Sequence, residues 1–272
     1  MKSGNYMSNR SSEVSNFYRL SPAERLEFVK TFSGLSDEES TLIQSMSGLK
    51  LESANRMIEN VIGSIPIPVG VAVNFLINGK DYIVPMAIEE PSVVAAASNA
   101  ARMARPGGGF CTSNTGPVMI GQIQAIGIND PNGAKMNILA SKNEILSKAN
   151  EQDPILVKVG GGAKDLDVKI LNSIVGPMVV TEIHVDCRDA MGANAVNTMA
   201  ETVAPIIEKI TGGKIYLRII SNLATKRLVR SRAVFKKDDI GGEEIIDGII
   251  NAYAFALADP YRCTTHNKGV MN

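Results

Sequence analysis

The sequence lacks the features that mark several common classes of protein. Its 28 basic residues balance its 28 acidic residues, so no overall field would attract nucleic acid or an anionic membrane surface. No apolar run reaches the roughly 20 residues that cross a bilayer, and the polar start at residues 1–5 is unlike a signal peptide. We therefore expect a cytoplasmic protein that binds neither nucleic acid nor membrane.

Cysteine and nucleotide-binding glycine motifs are also scarce. Cys111, Cys187 and Cys263 are odd in number and far apart, which fits reduced thiols better than a disulfide scaffold. No C-x-x-C spacing suggests zinc, and no metal site is predicted. No G-x-G-x-x-G follows a predicted strand, which argues against a Rossmann dinucleotide fold.

What is present indicates a mixed α+β protein. At 272 residues and 44% hydrophobic side chains, the chain can form one or two domains. Capping boxes at residues 21–24 and 36–39 each predict the start of a helix. Further apolar patterns predict a helix over residues 51–62, a hairpin turning at Asn78 and Gly79, and a buried alanine-rich helix from Pro91 to about Arg105.

A break rich in glycine and small polar side chains, residues 106–116, predicts a domain boundary. The next elements are expected to alternate as in a ferredoxin-like split β-α-β domain. They are strand 118–128, helix 135–150, strand 155–159, strands 166–171 and 177–185, helix 192–210 and strand 215–220. The predicted large domain therefore spans residues 1–115 and 221–272, with a helix over 243–257, and is interrupted by a small domain over 116–220.

Few side chains stand out as candidates for chemistry. Glu89 and Glu90 lie between a predicted strand and a helix, where a carboxylate can serve a site or simply cap the helix. Lys268 could stabilise an oxyanion, although a lysine there is more often solvated. His266 is interpreted as a hydrogen-bonding structural residue. His184 alternates with apolar neighbours in a strand, and we expect it to be exposed on one face.

The segment D-A-M-G-A-N, residues 189–194, is the better of two glycine-containing candidates for anion binding. It follows an apolar strand and places a glycine at the start of a predicted helix, where free backbone N–H groups and the helix dipole favour a pyrophosphate. Gly160, Gly161 and Gly162 could also approach a phosphate. A turn between two strands explains these three glycines equally well.

Five motifs together resemble the 3-hydroxy-3-methylglutaryl-coenzyme A (HMG-CoA) reductases, most closely class II. They are E-N-V-I-G at 59–63, P-I-P-V-G at 66–70, E-E-P-S at 89–92, D-A-M-G-A-N at 189–194 and T-H-N-K-G at 265–269. The resemblance runs from about Phe17 to Asn272. It implies a two-step reduction of HMG-CoA to mevalonate and free coenzyme A by NADH or NADPH, or the reverse reaction. It also implies a homodimer or larger oligomer and a non-Rossmann cofactor domain.

The resemblance assigns catalytic and substrate-binding roles. Glu90 matches the catalytic glutamate that serves proton transfer on the mevaldehyde oxygen. Lys268 matches the lysine that polarises the thioester carbonyl and stabilises the oxyanion. Ser92 and Arg262 match residues that hold the HMG carboxylate, and Asn272 matches the asparagine that supports the lysine and the substrate.

The resemblance also implies the cofactor-binding residues. Asp189, Met191, Gly192, Ala193 and Asn194 match the nucleotide-binding turn, and Asn222 lies near the nicotinamide end. Asp153 aligns with an acid beside the adenosine ribose, which would favour NADH slightly because a carboxylate repels a 2′-phosphate. The alternative interpretation makes Asp153 an acid beside Pro154 that merely ends a helix.

Some expected features of the family do not match. In the family, the catalytic aspartate and the histidine that protonates the coenzyme A thiolate lie downstream of the Lys268 motif, where this sequence has no residues. We therefore expect that the chain is truncated and that it is inactive on its own. The family's coenzyme A-binding arginine is not at its expected position near the N-terminus, where Tyr18 and Arg19 occupy the matching region. Two alternatives stay open. One is the non-catalytic half of a split enzyme or a cofactor-binding, dimerising pseudoenzyme; the other is a different nicotinamide enzyme that acts on an acyl-coenzyme A.

Overall fold

The chain is divided into two units in a computed structural model that describes residues 11–45 and 49–272. Unit 1 combines the chain up to Thr112 with Ser231–Asn272, and unit 2 is Ser113–Arg230. Residues 1–5, whose polar character is unlike a signal peptide, lie outside the described residues. Residues up to Arg230 stay with unit 2, whereas the sequence predicts a return to the large domain after residue 220. In this stretch the Thr115 hydroxyl accepts a hydrogen bond from the Leu228 amide (2.8 Å).

Unit 1 begins with helices and then forms most of a small sheet. Its elements up to the first boundary are α1 (Pro22–Ser33), α2 (Asp37–Gln44), α3 (Leu51–Ala54), β1 (Val69–Ile77), β2 (Lys80–Ala87), α4 (Val93–Ala104) and β3 (Phe110–Asn114). Both capping boxes form as predicted, with Ser21 and Ser36 each exchanging hydrogen bonds with the glutamate three residues later. The predicted hairpin turn is confirmed as well, because Asn78 and Gly79 both adopt positive φ angles.

Two predictions for unit 1 are wrong. The helix expected over residues 51–62 ends at Ala54, and turns follow up to Asn60, whose positive φ of 56° is incompatible with a continuing helix. The alanine-rich helix α4 is only partly buried. Its narrow apolar stripe packs on β1, so Ala101 and Ala104 are buried while the other side of the helix faces away from the sheet.

Unit 2 is a sheet covered by helices on one face. Its elements are β4 (Val118–Ile126), α5 (Pro131–Ala140), α6 (Lys142–Asn150), α7 (Pro154–Lys158), β5 (Gly162–Ser173), β6 (Gly176–Asp186), α8 (Ala193–Thr211) and β7 (Lys214–Ser221). The sheet order is β5-β6-β4-β7, with antiparallel pairing throughout. This is the order of a ferredoxin-like split β-α-β sheet, as predicted, and it differs from the parallel sheet of a Rossmann fold.

Alternation along the strands of unit 2 creates its core. Ile123 on β4, Leu166 on β5 and Ile183 on β6 point toward the helices and are fully or almost fully buried. Ile138 on α5 and Met199 on α8 cover them. The helix predicted over 135–150 is divided in two at Ser141, and the strand predicted over 155–159 is helix α7, because Asp153 and Pro154 supply a helix start there.

The chain returns to unit 1 within β8 (Val229–Ala233), whose first two residues belong to unit 2, and then forms α9 (Glu243–Ala258) and α10 (Pro260–Met271). The sheet of unit 1 has the order β2-β1-β3-β8. Helix α9 forms nearly as predicted for residues 243–257. Helix α10 has no counterpart among the predicted elements, although Asp259 caps it by accepting a hydrogen bond from the Arg262 amide (2.7 Å) and Pro260 takes its first position.

Candidate functional site

Glu90, Lys268 and Asn272 meet in unit 1. Glu90 lies at a bend between β2 and α4, whereas Lys268 is in the last turn of α10. Lys268 and Asn272 are four residues apart, so the helix presents both on one face. The Lys268 ammonium forms an ion pair with the Glu90 carboxylate, and the Asn272 amide donates to the same Oε2 at 2.7 Å.

The electrostatics of this cluster favour a charged pair. The hydrogen bond from Lys268 lowers the pKa of Glu90, the Asn272 amide acts in the same direction, and desolvation opposes both. The side chains of Lys268 and Glu90 are 59% and 45% exposed, so substrate can reach them. An ammonium held in place by a carboxylate and an amide can donate to an oxygen on which negative charge develops.

The structure does not bring Ser92 and Arg262 into this hydrogen-bonded cluster. Ser92 precedes α4 with a φ of 72°, a strained conformation for a residue other than glycine, and its carbonyl accepts from the Ala96 amide (2.8 Å). The Arg262 side chain is half-buried on α10. Within residues 11–45 and 49–272, no described hydrogen bond joins either side chain to Glu90, Lys268 or Asn272. Their substrate-binding roles stay predictions.

Unit 2 contains a cavity of about 510 Å³ at the start of α8. Five of the cofactor-binding residues that the resemblance implies line it: Asp153, Met191, Gly192, Ala193 and Asn194. Asp189 and Asn222 are outside this lining. Ala190, which belongs to the same D-A-M-G-A-N motif, also lines the cavity. Gln152, Ala195 and Thr198 line it as well; no sequence signal marks these three, because they lie outside any motif.

The start of α8 is suited to an anion. Gly192 is its N-cap, with a φ of 104° and no capping side chain. The first helical hydrogen bond runs from the Val196 amide to the Gly192 carbonyl (3.0 Å). Across the described residues, no protein acceptor is recorded for the backbone N–H groups of residues 191–195. Free N–H groups at the positive end of a helix are a typical phosphate-binding arrangement.

Asp153, which lines this cavity, is the N-cap residue of α7. Its Oδ1 accepts a hydrogen bond from the Leu156 amide (2.8 Å) and so caps α7. Asp153 therefore begins a helix; the alternative in which it ends one is wrong, because Pro154 follows at the first helical position. The remaining carboxylate oxygen leaves room for a second interaction with a ligand in the cavity.

His184 is buried, with 3% of its side chain exposed, so the prediction that it lies exposed is wrong. It lies on β6 opposite Ile120 and Asp165, and no hydrogen-bond partner is recorded for its Nε2 among the described residues. Burial lowers the pKa of His184 and Lys226 acts in the same direction, while Asp167, Asp165 and Glu182 oppose them. Folding therefore favours the neutral form of this imidazole.

We predict that His184 makes the protein less stable in mild acid. Below about pH 6.5 an unfolded histidine takes up a proton, whereas the folded one resists protonation until a lower pH, so the unfolding free energy falls as the pH drops through this window. Urea unfolding of His184→Gln at pH 7.5, 6.5 and 5.5 should show a weaker decline than the parent chain. His266→Gln, at an exposed site on α10, is the matched control. An unchanged decline in His184→Gln would refute the assignment.

Comparison with known proteins decides the family. The profile described as hydroxymethylglutaryl-coenzyme A reductase matches residues 21–272. The chain belongs to this family. The HMG-CoA reductase of Archaeoglobus fulgidus is 61% identical over 271 residues, covering 100% of this chain and 62% of the relative. A probable HMG-CoA reductase of Borreliella burgdorferi is 30% identical over 265 residues, covering 94% of this chain and 58% of the relative.

Solved structures of the HMG-CoA reductase family agree with the fold. The enzyme of Streptococcus pneumoniae matches with a TM-score of 0.89 at 38% identity, over 94% of this chain and 62% of that one. A second structure, described as class II and bound to NADPH in open conformations, matches with the same score and identity over 94% and 71%. The resemblance to class II and the α+β fold are thereby confirmed. The chain spans about three fifths of the length of the two curated relatives above.

No helix within residues 11–45 and 49–272 combines the length and apolar character needed to cross a membrane. Within the same residues, histidine, cysteine and acidic side chains do not gather in threes around a point where a metal ion could be held.

Proposed function

We propose that this chain contributes to the NADH- or NADPH-dependent reduction of HMG-CoA to mevalonate and free coenzyme A, or to the reverse oxidation. One observation carries the proposal: the fold brings Lys268 and Asn272 onto Glu90, which is 178 residues from Lys268 in sequence. Family membership supports the substrate class, and the free N–H groups beside the cavity of unit 2 support a dinucleotide.

The Lys268 ammonium is proposed to donate to the thioester carbonyl oxygen. When bound, the reduced dinucleotide supplies hydride. As hydride adds to the carbonyl carbon, negative charge develops on the oxygen, and a positioned ammonium stabilises this charge more strongly than it stabilises the ground state. The carbon–sulfur bond then breaks, releasing coenzyme A thiolate and leaving mevaldehyde. Asn272 and Glu90 hold the ammonium in place during this step.

A second hydride converts mevaldehyde into mevalonate, and the alcohol oxygen then needs a proton. Lys268 lowers the pKa of Glu90, which favours the ionised carboxylate over a protonated one that could donate. We propose that the Lys268 ammonium delivers this proton to the alkoxide and that the Glu90 carboxylate holds the ammonium in position until the transfer. The proton transfer that the resemblance assigns to Glu90 would then pass through Lys268.

A direct experiment uses a chimera in which residues 1–272 replace the stretch that they match in the Archaeoglobus fulgidus relative. Incubation with HMG-CoA and NADPH or NADH, followed by mass spectrometry, should show mevalonate and free coenzyme A. A non-catalytic, cofactor-binding role would instead give dinucleotide binding without product. A different reduced acid from another acyl-coenzyme A would support the alternative nicotinamide enzyme.

We propose that Asp153 favours NADH over NADPH, since a 2′-phosphate beside a carboxylate is repelled. Because Asp153 also caps α7, the test substitution has to remove its charge and keep the cap. Asp153→Asn keeps an acceptor for the Leu156 amide and removes only the charge, so affinity for NADPH relative to NADH should rise roughly tenfold, the effect of about 1.4 kcal/mol. Asp153→Ala removes the cap as well and should also lower stability. An unchanged NADH-to-NADPH ratio in Asp153→Asn would exclude the residue from this role.

We also propose a cytoplasmic homodimer or larger oligomer, as the resemblance implies, with HMG-CoA, mevalonate and coenzyme A as its small-molecule partners. Family membership supports these partners. Sedimentation velocity of the purified chain at several concentrations measures the assembly. A single species with the mass of one chain at all concentrations would contradict it.

A further inference from the structure

Arg227 lies beside the turn that precedes α8. Its Nη1 donates to the carbonyl of Ala190 at 2.9 Å and to that of Met191 at 3.2 Å. Both carbonyls belong to residues that line the cavity of unit 2. No motif in the sequence marks this arginine, which follows the turn by more than thirty positions.

The backbone that carries Arg227 is held on both sides. The Thr115 hydroxyl donates to the Lys226 carbonyl (2.9 Å) and accepts from the Leu228 amide (2.8 Å). The Arg227 amide itself donates to the Ala224 carbonyl (2.9 Å). The guanidinium therefore extends from a fixed base, and its side chain is half-buried.

The two hydrogen bonds determine where the adjoining N–H groups point. A trans peptide is planar, so its N–H points away from its C=O, and the described residues contain no cis peptide bond. With the carbonyls of Ala190 and Met191 directed at Arg227, the N–H groups of Met191 and Gly192 point the opposite way. They extend the row of unpaired N–H groups that continues to Ala195.

We infer that Arg227 is a positioning residue for dinucleotide binding: it orients the turn so that these N–H groups face the pyrophosphate. This inference rests on the proposed function, and specifically on a dinucleotide in the cavity of unit 2. The arginine also places positive charge near a dianionic group, which strengthens the same interaction. A single nitrogen makes both contacts, so a lysine ammonium can replace part of the arrangement.

The experiment measures NADPH and NADH binding to the 272-residue chain by nicotinamide fluorescence. Arg227→Met removes the donors, and both affinities should fall at least tenfold. Arg227→Lys should recover most of the loss. Arg230→Met removes one positive charge from an exposed position on β8 and should leave affinity within twofold of the parent. Hydrogen exchange at residues 191–195 should change in Arg227→Met and not in Arg230→Met.

The outcomes separate this inference from the proposed function. A parent chain that binds neither NADPH nor NADH overturns both. A parent chain that binds, together with an Arg227→Met variant that binds within twofold of it, overturns the positioning role alone. An equal loss in Arg230→Met would reduce the effect to overall charge and overturn it too. Should Arg227→Met fail to fold, Arg227→Gln takes its place: its shorter side chain does not reach both carbonyls, so parent-like affinity in Arg227→Gln would overturn the positioning role.

Discussion

Replacing Lys268 by alanine in the chimera will lower turnover by roughly 10²–10³-fold or more, the usual effect of removing a donor to a developing oxyanion. Glu90→Gln should have a comparable effect, because it removes the charge that holds the ammonium. Both side chains are about half exposed, so the free energy of unfolding should change little. The loss should appear in kcat, since the interaction strengthens in the transition state.

Lys237 provides the matched control for Lys268. It forms an ion pair with Glu243 in the same unit at 2.8 Å, and its side chain is similarly exposed. Lys237→Ala should retain turnover within about twofold, because an exposed pair away from the site contributes little. If the Lys268 and Lys237 variants lose the same small amount of activity, Lys268 is not the oxyanion donor.

Gly192→Ala will weaken NADPH binding by more than tenfold and destabilise unit 2. Its φ of 104° disfavours a side chain, and an added Cβ would lie 2.5 Å from Cys187 Sγ and 3.0 Å from Cys187 Cβ. The Cys187 side chain is buried, so the start of α8 has to shift. Unfavourable backbone conformation and overpacking together should cost roughly 2–5 kcal/mol, measured by urea unfolding beside NADPH titration.

Gly176 separates the two causes. Its φ of 103° nearly equals that of Gly192, but an added Cβ there meets no atom within 4 Å. Gly176→Ala should therefore lose only about 1–2 kcal/mol and bind NADPH normally. Adding Cys187→Ala to Gly192→Ala should recover stability relative to the sum of the single changes. Equal effects of the two glycine substitutions would show that close packing at Gly192 is unimportant.

Local sequence signals predicted the elements whose causes are local. The hairpin at Asn78 and Gly79 and the two capping boxes depend on adjacent residues, and both formed as expected. The helix α7 shows the limit. Residues 155–159 are apolar enough to suggest a strand, but the Asp153 cap and Pro154 decide in favour of a helix.

Long-range contacts explain what the sequence could not reveal. Alternation along β6 led to the expectation that His184 would be exposed, yet the folded structure buries it. No local sequence signal near Glu90 predicts a contact with Lys268. The family resemblance alone paired the two residues, and the fold brings them into contact. Arg227 was missed because a guanidinium that binds two backbone carbonyls leaves no pattern in the sequence.

Residues 1–272 are proposed to supply the ion pair and the dinucleotide cavity for a two-step reduction. The most direct measurement is the ratio of dinucleotide oxidised to mevalonate formed by the chimera under HMG-CoA-limited conditions. The proposed chemistry predicts a ratio of about two, with one coenzyme A thiol released per mevalonate, and the loss of all three products together in Lys268→Ala. One dinucleotide oxidised per coenzyme A released, with an aldehyde and no mevalonate as the final product, or undiminished mevalonate formation in Lys268→Ala, would contradict it.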